Sequence, residues 1–140
     1  MVKSFPKKYV SLAQANRILP QVKKSLIRMM RLDNSLNTLS SIEITYNDPY
    51  KGLVYDVQYD KKFHQLSYAF YREFEKLIAF GAVLKCLDDG EIDFFSKFEG
   101  REIFLCWKIG EHQIHHWHEV EDDFEGRRSI AELKKDAKIK

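Results

Sequence analysis

The sequence predicts an α+β fold in which an antiparallel helical hairpin, about 11–80, packs against a small antiparallel β-meander of about four strands, about 82–120. Three observations lead there. Apolar residues recur at steps of three and four through the first eighty or so positions, the pattern of a helix with one buried face. After Gly81 the pattern changes to short apolar runs divided by turn residues, the pattern of strands. The chain has 140 residues, 44% of them hydrophobic and 14% aromatic, enough to bury one core and organise as a single domain, 1–140.

The first helix has a clear start. Tyr9-Val10 leads into Ser11-Leu12-Ala13-Gln14, a capping box in which the Ser11 hydroxyl and the Gln14 amide satisfy backbone N–H groups reciprocally. Pro20 disfavours helical geometry at Leu19, so it either kinks this helix or starts a second one. Ile18, Val22, Leu26, Met29 and Leu36 share an arc of about 100°, with Arg17, Lys24, Arg28 and Arg31 on the other side. Asp33 interrupts the apolar stripe and is expected to pair with a charge from another element.

Residues 40–54 gather turn formers, Ser40-Ser41 and Asn47-Asp48-Pro49 with Gly52, and read as an irregular loop with a short strand from Ile42 to Tyr46. A second helix follows from about Tyr55 to Phe80, in which Tyr59, Phe63, Leu66, Phe70, Phe74 and Leu77 repeat at helical spacing. Gly81 closes it. Strands are then expected at Ala82–Leu87, Ile92–Phe95, Arg101–Lys108 and Gln113–Val120, with turns at Asp88-Asp89-Gly90, Glu99-Gly100 and Gly110-Glu111. Residues 121–140 read as a polar tail, in which Ser129 to Lys140 has helical potential and frays at the end.

Charge is segregated although the net value is only +2. Residues 1–32 hold eight Lys or Arg and no acid, residues 86–125 hold twelve acids against three bases, and residues 126–140 are basic again. The basic N-terminal third suits an anionic partner such as nucleic acid. The near-neutral total and the lack of interleaved aromatics favour instead complementarity within the chain or between subunits. No run approaches a membrane-spanning length and the N-terminus lacks the apolar core of a signal peptide, so a cytoplasmic protein with no membrane partner is expected. Cys86 and Cys106 have no CxxC spacing, which argues against a disulfide framework or a cysteine-built structural zinc site.

Chemistry is concentrated between Gly100 and Arg128, which contains both tryptophans, Cys106 and four of the five histidines. Pairing Lys108 with Gln113 across the turn would put Cys106 opposite His115, Phe104 opposite Trp117 and Glu102 opposite Glu119 on one face, with Leu105 opposite His116 and Ile103 opposite His118 on the other. A Cys/His pair is the minimum for an activated thiolate, although a buried Cys more commonly serves as a small hydrophobe. Opposed carboxylates repel unless protonated or bridged by a cation. His116 and His118 point the same way on a strand, and with His112 they would offer three imidazoles, with Glu111 and Glu119 as oxygen ligands or a general base. The acidic run Glu119, Glu121, Asp122, Asp123, Glu125 lacks the spacing of an EF-hand and reads as a solvated loop. The Arg127-Arg128 pair that follows suits a carboxylate or phosphate, or an internal bridge to that run. Phosphate-cradling glycine loops and the GxSxG elbow are absent.

The elements Tyr9-Val10-Ser11-Leu12, Ala15-Asn16, Leu19-Pro20, Gly81-Ala82-Val83 with Lys85, Asp93-Phe94, Gly100-Arg101, Leu105-Cys106-Trp107, Gly110-Glu111, Trp117-His118-Glu119 and Phe124-Glu125-Gly126-Arg127 together resemble the prokaryotic family called domain of unknown function 2203. The resemblance spans nearly the whole chain and implies a bacterial cytoplasmic protein without an assigned activity. Carried over by position, Arg101, Cys106, Trp107, Glu111, Trp117, His118, Glu119 and Arg127 fit the family pattern, whereas His112, His115 and His116 depart from it. That weighs against the three-imidazole site and the Cys106/His115 pair, and leaves Arg101, Glu111, His118, Glu119 and Arg127 as the candidate ligand-binding residues.

The leading expectation is a small ligand-binding or protein-interaction module that self-associates through its helical hairpin. The rival is a metal-dependent hydrolase acting on a small anionic molecule, with a divalent metal held by His118, Glu111 and Glu119 and the substrate held by Arg101 or Arg127. A third reading is nucleic-acid binding through Arg17, Lys24, Arg28 and Arg31.

Overall fold

Ser11 starts the first helix as its sequence requires: its hydroxyl accepts from the Gln14 N–H at 3.1 Å while the Gln14 side chain accepts from the Ser11 N–H at 2.9 Å. In the computed structural model, which describes residues 6–42, 45, 47–122 and 124–133, this helix, α1, runs unbroken over Leu12–Ser40 with Pro20 inside it. Of the two alternatives at Pro20, the chain keeps one helix and does not start a second. Ala15, Leu19, Val22, Leu26 and Met29 are all buried. Apolar burial on both sides of the proline outweighs the hydrogen bond that it removes. Asp33 accepts from the Asn37 side chain one turn further along α1, at 3.5 Å.

The second helix, α2, spans Pro49–Ala79 and begins six residues earlier than periodicity suggests. The loop expected through residue 54 is corrected accordingly. Asp48 is the N-cap, accepting from the Tyr50 N–H at 2.9 Å, and Pro49 takes the first helical position, where its missing N–H costs nothing. The strand expected between Ile42 and Tyr46 falls largely on 43, 44 and 46, outside the described residues. Glu73 of α2 is buried against α1, with Arg28 at 3.4 Å and Lys76 at 3.1 Å. Burial alone would raise its pKa, but Lys76, Ser25 and Arg28 hold its carboxyl below the usual range. Arg28, expected on a free basic face, thus serves the hairpin itself.

Five antiparallel strands follow in the order β1-β2-β3-β4-β5: Ala82–Cys86, Glu91–Phe98, Arg101–Lys108, His116–Glu119 and Arg128–Ser129. The α+β expectation holds, with one strand more than the sequence suggested. Glu99 at φ 55° and Gly100 at φ 79° form the tight turn between β2 and β3, the left-handed pair that matches strand twist. Ile92, Phe94, Ile103, Leu105, Trp107 and Trp117 project from one face of the sheet into the core made with α1 and with Leu77 of α2. Because side chains alternate, Asp93, Phe104, Cys106 and His118 lie on the other face, where they too are buried.

The β3–β4 register differs by one residue from the expected one. Cys106 pairs with His116, Leu105 with Trp117, Phe104 with His118 and Ile103 with Glu119. The single-residue difference exchanges the faces of every β4 side chain. The cause is the β3–β4 connection, which is a built loop in place of a tight turn. The Ile114 N–H donates to the Asn16 side-chain oxygen of α1 at 2.9 Å. Trp107 Nε1 donates to the Glu111 carbonyl at 2.9 Å, and the Lys108 N–H donates to the Glu111 carboxylate at 2.6 Å. With Ile114 held to Asn16 and the His115 carbonyl accepting from the Ile130 N–H at 2.9 Å, residues 113–115 do not extend the strand.

The stretch expected to be a polar tail is structural over its described part. Phe124–Gly126 forms a 3-10 turn, Arg128–Ser129 pairs with β4, and Ile130 and Leu133 are buried in the core. Charged neighbours hid two core residues. Asn16→Ala leaves the buried Ile114 N–H without its acceptor and is expected to lower stability by about 1–3 kcal/mol in chemical denaturation, with Asn16→Asp closer to wild type.

Candidate functional site

Three adjacent strands each place one side chain on the face turned away from the helices: Asp93 from β2, Cys106 from β3 and His118 from β4. All three are about 1% exposed, and their ligand-type atoms lie within 4.8 Å of one another. His118 reaches this face because Trp117 beside it fills the core on the other. His118 Nε2 lies 2.9 Å from Asp93 Oδ2, and its Nδ1 lies 2.8 Å from the Glu119 carbonyl oxygen.

These two contacts define the chemistry. The carbonyl oxygen can only accept, so Nδ1 carries a proton. Nε2 of a neutral ring would then point its lone pair at a carboxylate, two acceptors face to face. Either Nε2 is also protonated, giving an imidazolium–carboxylate pair, or a cation takes the place of that proton. Burial alone would lower the His118 pKa, but the bonds to Asp93 and to the Glu119 carbonyl outweigh it and raise the value above 6.5. Asp93 Oδ1 is buried with no well-formed hydrogen bond among the described residues, beside the Cys106 thiol. Burial and the Asp93 charge push that thiol up to about 12. At neutral pH it is therefore not the activated thiolate that a Cys/His pair would supply.

A cavity of about 380 Å³ opens onto Asp93 and His118. Its wall includes Lys85, whose ammonium lies 3.9 Å from Asp93 Oδ2 and over the Phe104 ring. Glu91, Asp122, Phe124 and Glu125 complete it. The segment after β4 closes one side and is anchored by Arg127. That guanidinium donates to both Glu111 carboxylate oxygens, at 2.7 and 2.8 Å, and stacks over Phe124 at 4.3 Å.

The structure thus separates the five sequence candidates. Arg101 and Glu119 form a bidentate pair, 2.8 and 3.3 Å, on the helix-facing side of the sheet, with Arg101 beside the Phe98 and Trp117 rings. They stand on the opposite face from His118. Glu111 and Arg127 hold each other at the mouth of the β3–β4 loop. Only His118 enters the buried cluster, so the expected metal set of His118, Glu111 and Glu119 is not brought together. His112 and His115 are exposed, and His116 lies 3.4 Å from Glu111, which removes the three-imidazole arrangement. Glu102 and Glu119 do not oppose each other, since Glu102 faces Tyr9 and Lys7. The residues missed were Asp93 and Lys85. The signal for Asp93 was a lone carboxylate inside the apolar run Ile92 to Phe95.

A model of the family described as an uncharacterized conserved protein, DUF2203, matches residues 8–130, from just before the Ser11 cap to just after β5. The chain belongs to this family. The match takes in every strand that contributes to the buried cluster, and the family resemblance read from the sequence is thereby borne out. Neither the curated proteins nor the solved structures contain a match to the chain.

Two outcomes follow for the metal-free protein. Because folding raises the His118 pKa above 6.5, its stabilisation is complete below that value and is lost as pH rises through the folded value. Thermal unfolding should show stability declining through this window, with Lys85, Asp93 and Cys106 facing the ring, and His118→Gln should flatten the decline. Arg127→Ala should cost about 1.5–3 kcal/mol by removing the guanidinium from the Glu111 carboxylate, which keeps the Lys108 N–H, measured by chemical denaturation.

Proposed function

We propose that the protein binds one zinc-class divalent ion through Asp93, Cys106 and His118 and uses it in hydrolysis of a small molecule held in the adjoining cavity. The observation that carries this reading is His118 Nε2 directed at the Asp93 carboxylate while Nδ1–H is committed to a backbone carbonyl. That outer contact is the one by which metal-ligating histidines are oriented, and it leaves Nε2 as the ligand atom. One nitrogen, one sulfur and one carboxylate oxygen suit zinc, and three protein ligands leave a fourth position open. Tetrahedral bonds of about 2.0–2.3 Å set ligand atoms about 3.3–3.8 Å apart, so the 2.9 Å contact of His118 Nε2 with Asp93 would have to widen and the longer separations, within 4.8 Å, to close. A bound ion of this kind supplies Lewis acidity toward an oxygen in its open position.

The chain's own residues set the remaining roles. Asp93 and His118 line the cavity and Cys106 does not, so an ion held by the three would be reached from the cavity. Lys85 is placed to donate to a substrate oxygen. The carboxylates of Glu91, Asp122 and Glu125 favour a neutral, hydroxyl-rich or cationic molecule, and one of them is a general base within the cavity wall. The anionic substrate suggested by Arg101 and Arg127 loses its support, because both guanidinium groups already hold carboxylates. A volume of about 380 Å³ suits a metabolite.

Untagged protein is expected to bind close to one equivalent of zinc, and Asp93→Asn and Cys106→Ser each to weaken binding about 10-fold or more. Cobalt(II) substitution supplies an independent readout: an absorption band from sulfur-to-metal charge transfer, absent in Cys106→Ser. Protein that takes up no stoichiometric ion from micromolar zinc would remove the reading.

A further inference from the structure

In the long helix α2, only Glu73 and Leu77 are buried, and both lie in its last third. Tyr59, Leu66, Phe70 and Phe74 are partly covered, on the side that carries Glu73 to Arg28 of α1. The other side is apolar as well. Tyr50 is 73% exposed, Leu53 62%, Val57 60%, Tyr68 68% and Tyr71 62%. At 100° per residue these positions, with Asp60, Lys61 and His64, fall within an arc of about 100°, roughly opposite the α1-facing stripe. A surface helix with one buried face is ordinary; one with a second, aromatic face lacks a partner.

We propose that this face pairs with the same face of a second copy, the two α2 helices running antiparallel about a twofold axis that passes between Asp60 and Lys61. The pattern is self-complementary about that point. Antiparallel pairing there sets Tyr50 against Tyr71 of the other copy, Leu53 against Tyr68, Val57 against His64 and Asp60 against Lys61. Each apolar residue meets an aromatic ring, and each central charge meets its opposite. An isologous interface requires this symmetry. A stripe directed at an unrelated protein would have no reason to read the same from both ends. Each exposed tyrosine can bury on the order of 150 Å², and with Leu53 and Val57 each copy approaches the roughly 800 Å² per partner of a standard interface. Joined in this way, two hairpins make a four-helix layer with a sheet and its buried cluster at each end. The inference is independent of the metal reading.

Sedimentation of the full chain from micromolar to millimolar concentration tests it. A dimer of the 16.6 kDa chain is expected. Val57→Glu and Tyr68→Glu, at positions exposed in the single chain, should raise the dimer dissociation constant at least about 100-fold while the circular dichroism spectrum stays helical. Asp60→Lys or Lys61→Asp alone should weaken the dimer by placing like charges across the axis, and the double exchange D60K/K61D should restore it. A monomer at millimolar concentration, a dimer indifferent to Val57→Glu and Tyr68→Glu, or a double exchange that fails to restore association would each overturn the proposal.

Discussion

The placement of Trp107 and Trp117 in the core governs the rest of this molecule. Both indoles are essentially buried on the helix side of the sheet, and strand alternation then leaves no choice for their neighbours. With Trp117 turned inward, His118 must face outward. With Trp107 turned inward, Cys106 must do the same, and β2 pairing puts Asp93 directly across from Cys106. A shift of one residue in β4 would turn the imidazole into the apolar core and set the indole among the polar groups of the other face. Burying that indole contributes on the order of 2–3 kcal/mol, whereas an unpartnered polar ring in the core costs about as much. Apolar packing therefore fixes which polar groups meet.

The charges that composition separates along the chain are brought together by folding. Glu73 draws Arg28 and Lys76 to the hairpin contact, Arg101 holds Glu119, and Arg127 clamps Glu111. Of the eight bases in residues 1–32 these contacts engage Arg28, and Lys7 meets Glu102 of the acidic segment. What they leave at the outer sheet face is a cluster of Asp93, His118 and Cys106 beside a cavity with more carboxylates than cations. Such a face attracts a metal ion or a positively charged group more readily than a phosphate.

The helical half of the fold was legible because its signals are local: a capping box at Ser11, apolar steps through both helices and Gly81 after the second. The Asp48-Pro49 start of α2 was misread because the residues that form turns are the ones that cap helices, and only the chain beyond them decides between the two. In the β half, element type was legible and register was not. Register rests on Asn16 bonding Ile114 and Glu111 bonding Lys108, contacts with no periodic signature. The same gap explains the site. His118 was joined to its sequence neighbours Glu111 and Glu119, whereas the carboxylate it contacts, Asp93, lies one strand beyond Cys106. Ile130 and Leu133 were masked by the charged residues around them.

Sheet and hairpin divide the labour. The hairpin supplies the core wall that forces the tryptophans inward and carries an apolar face outward; the sheet presents the buried polar cluster on its far side. The account stands or falls on that cluster. Anomalous diffraction at the zinc edge from crystals soaked in zinc tests it most directly: the account predicts one strong peak about 2.0–2.3 Å from Asp93, Cys106 and His118 on the sheet face away from the helices. Density with no peak there, or with His118 turned toward the helices, would contradict it.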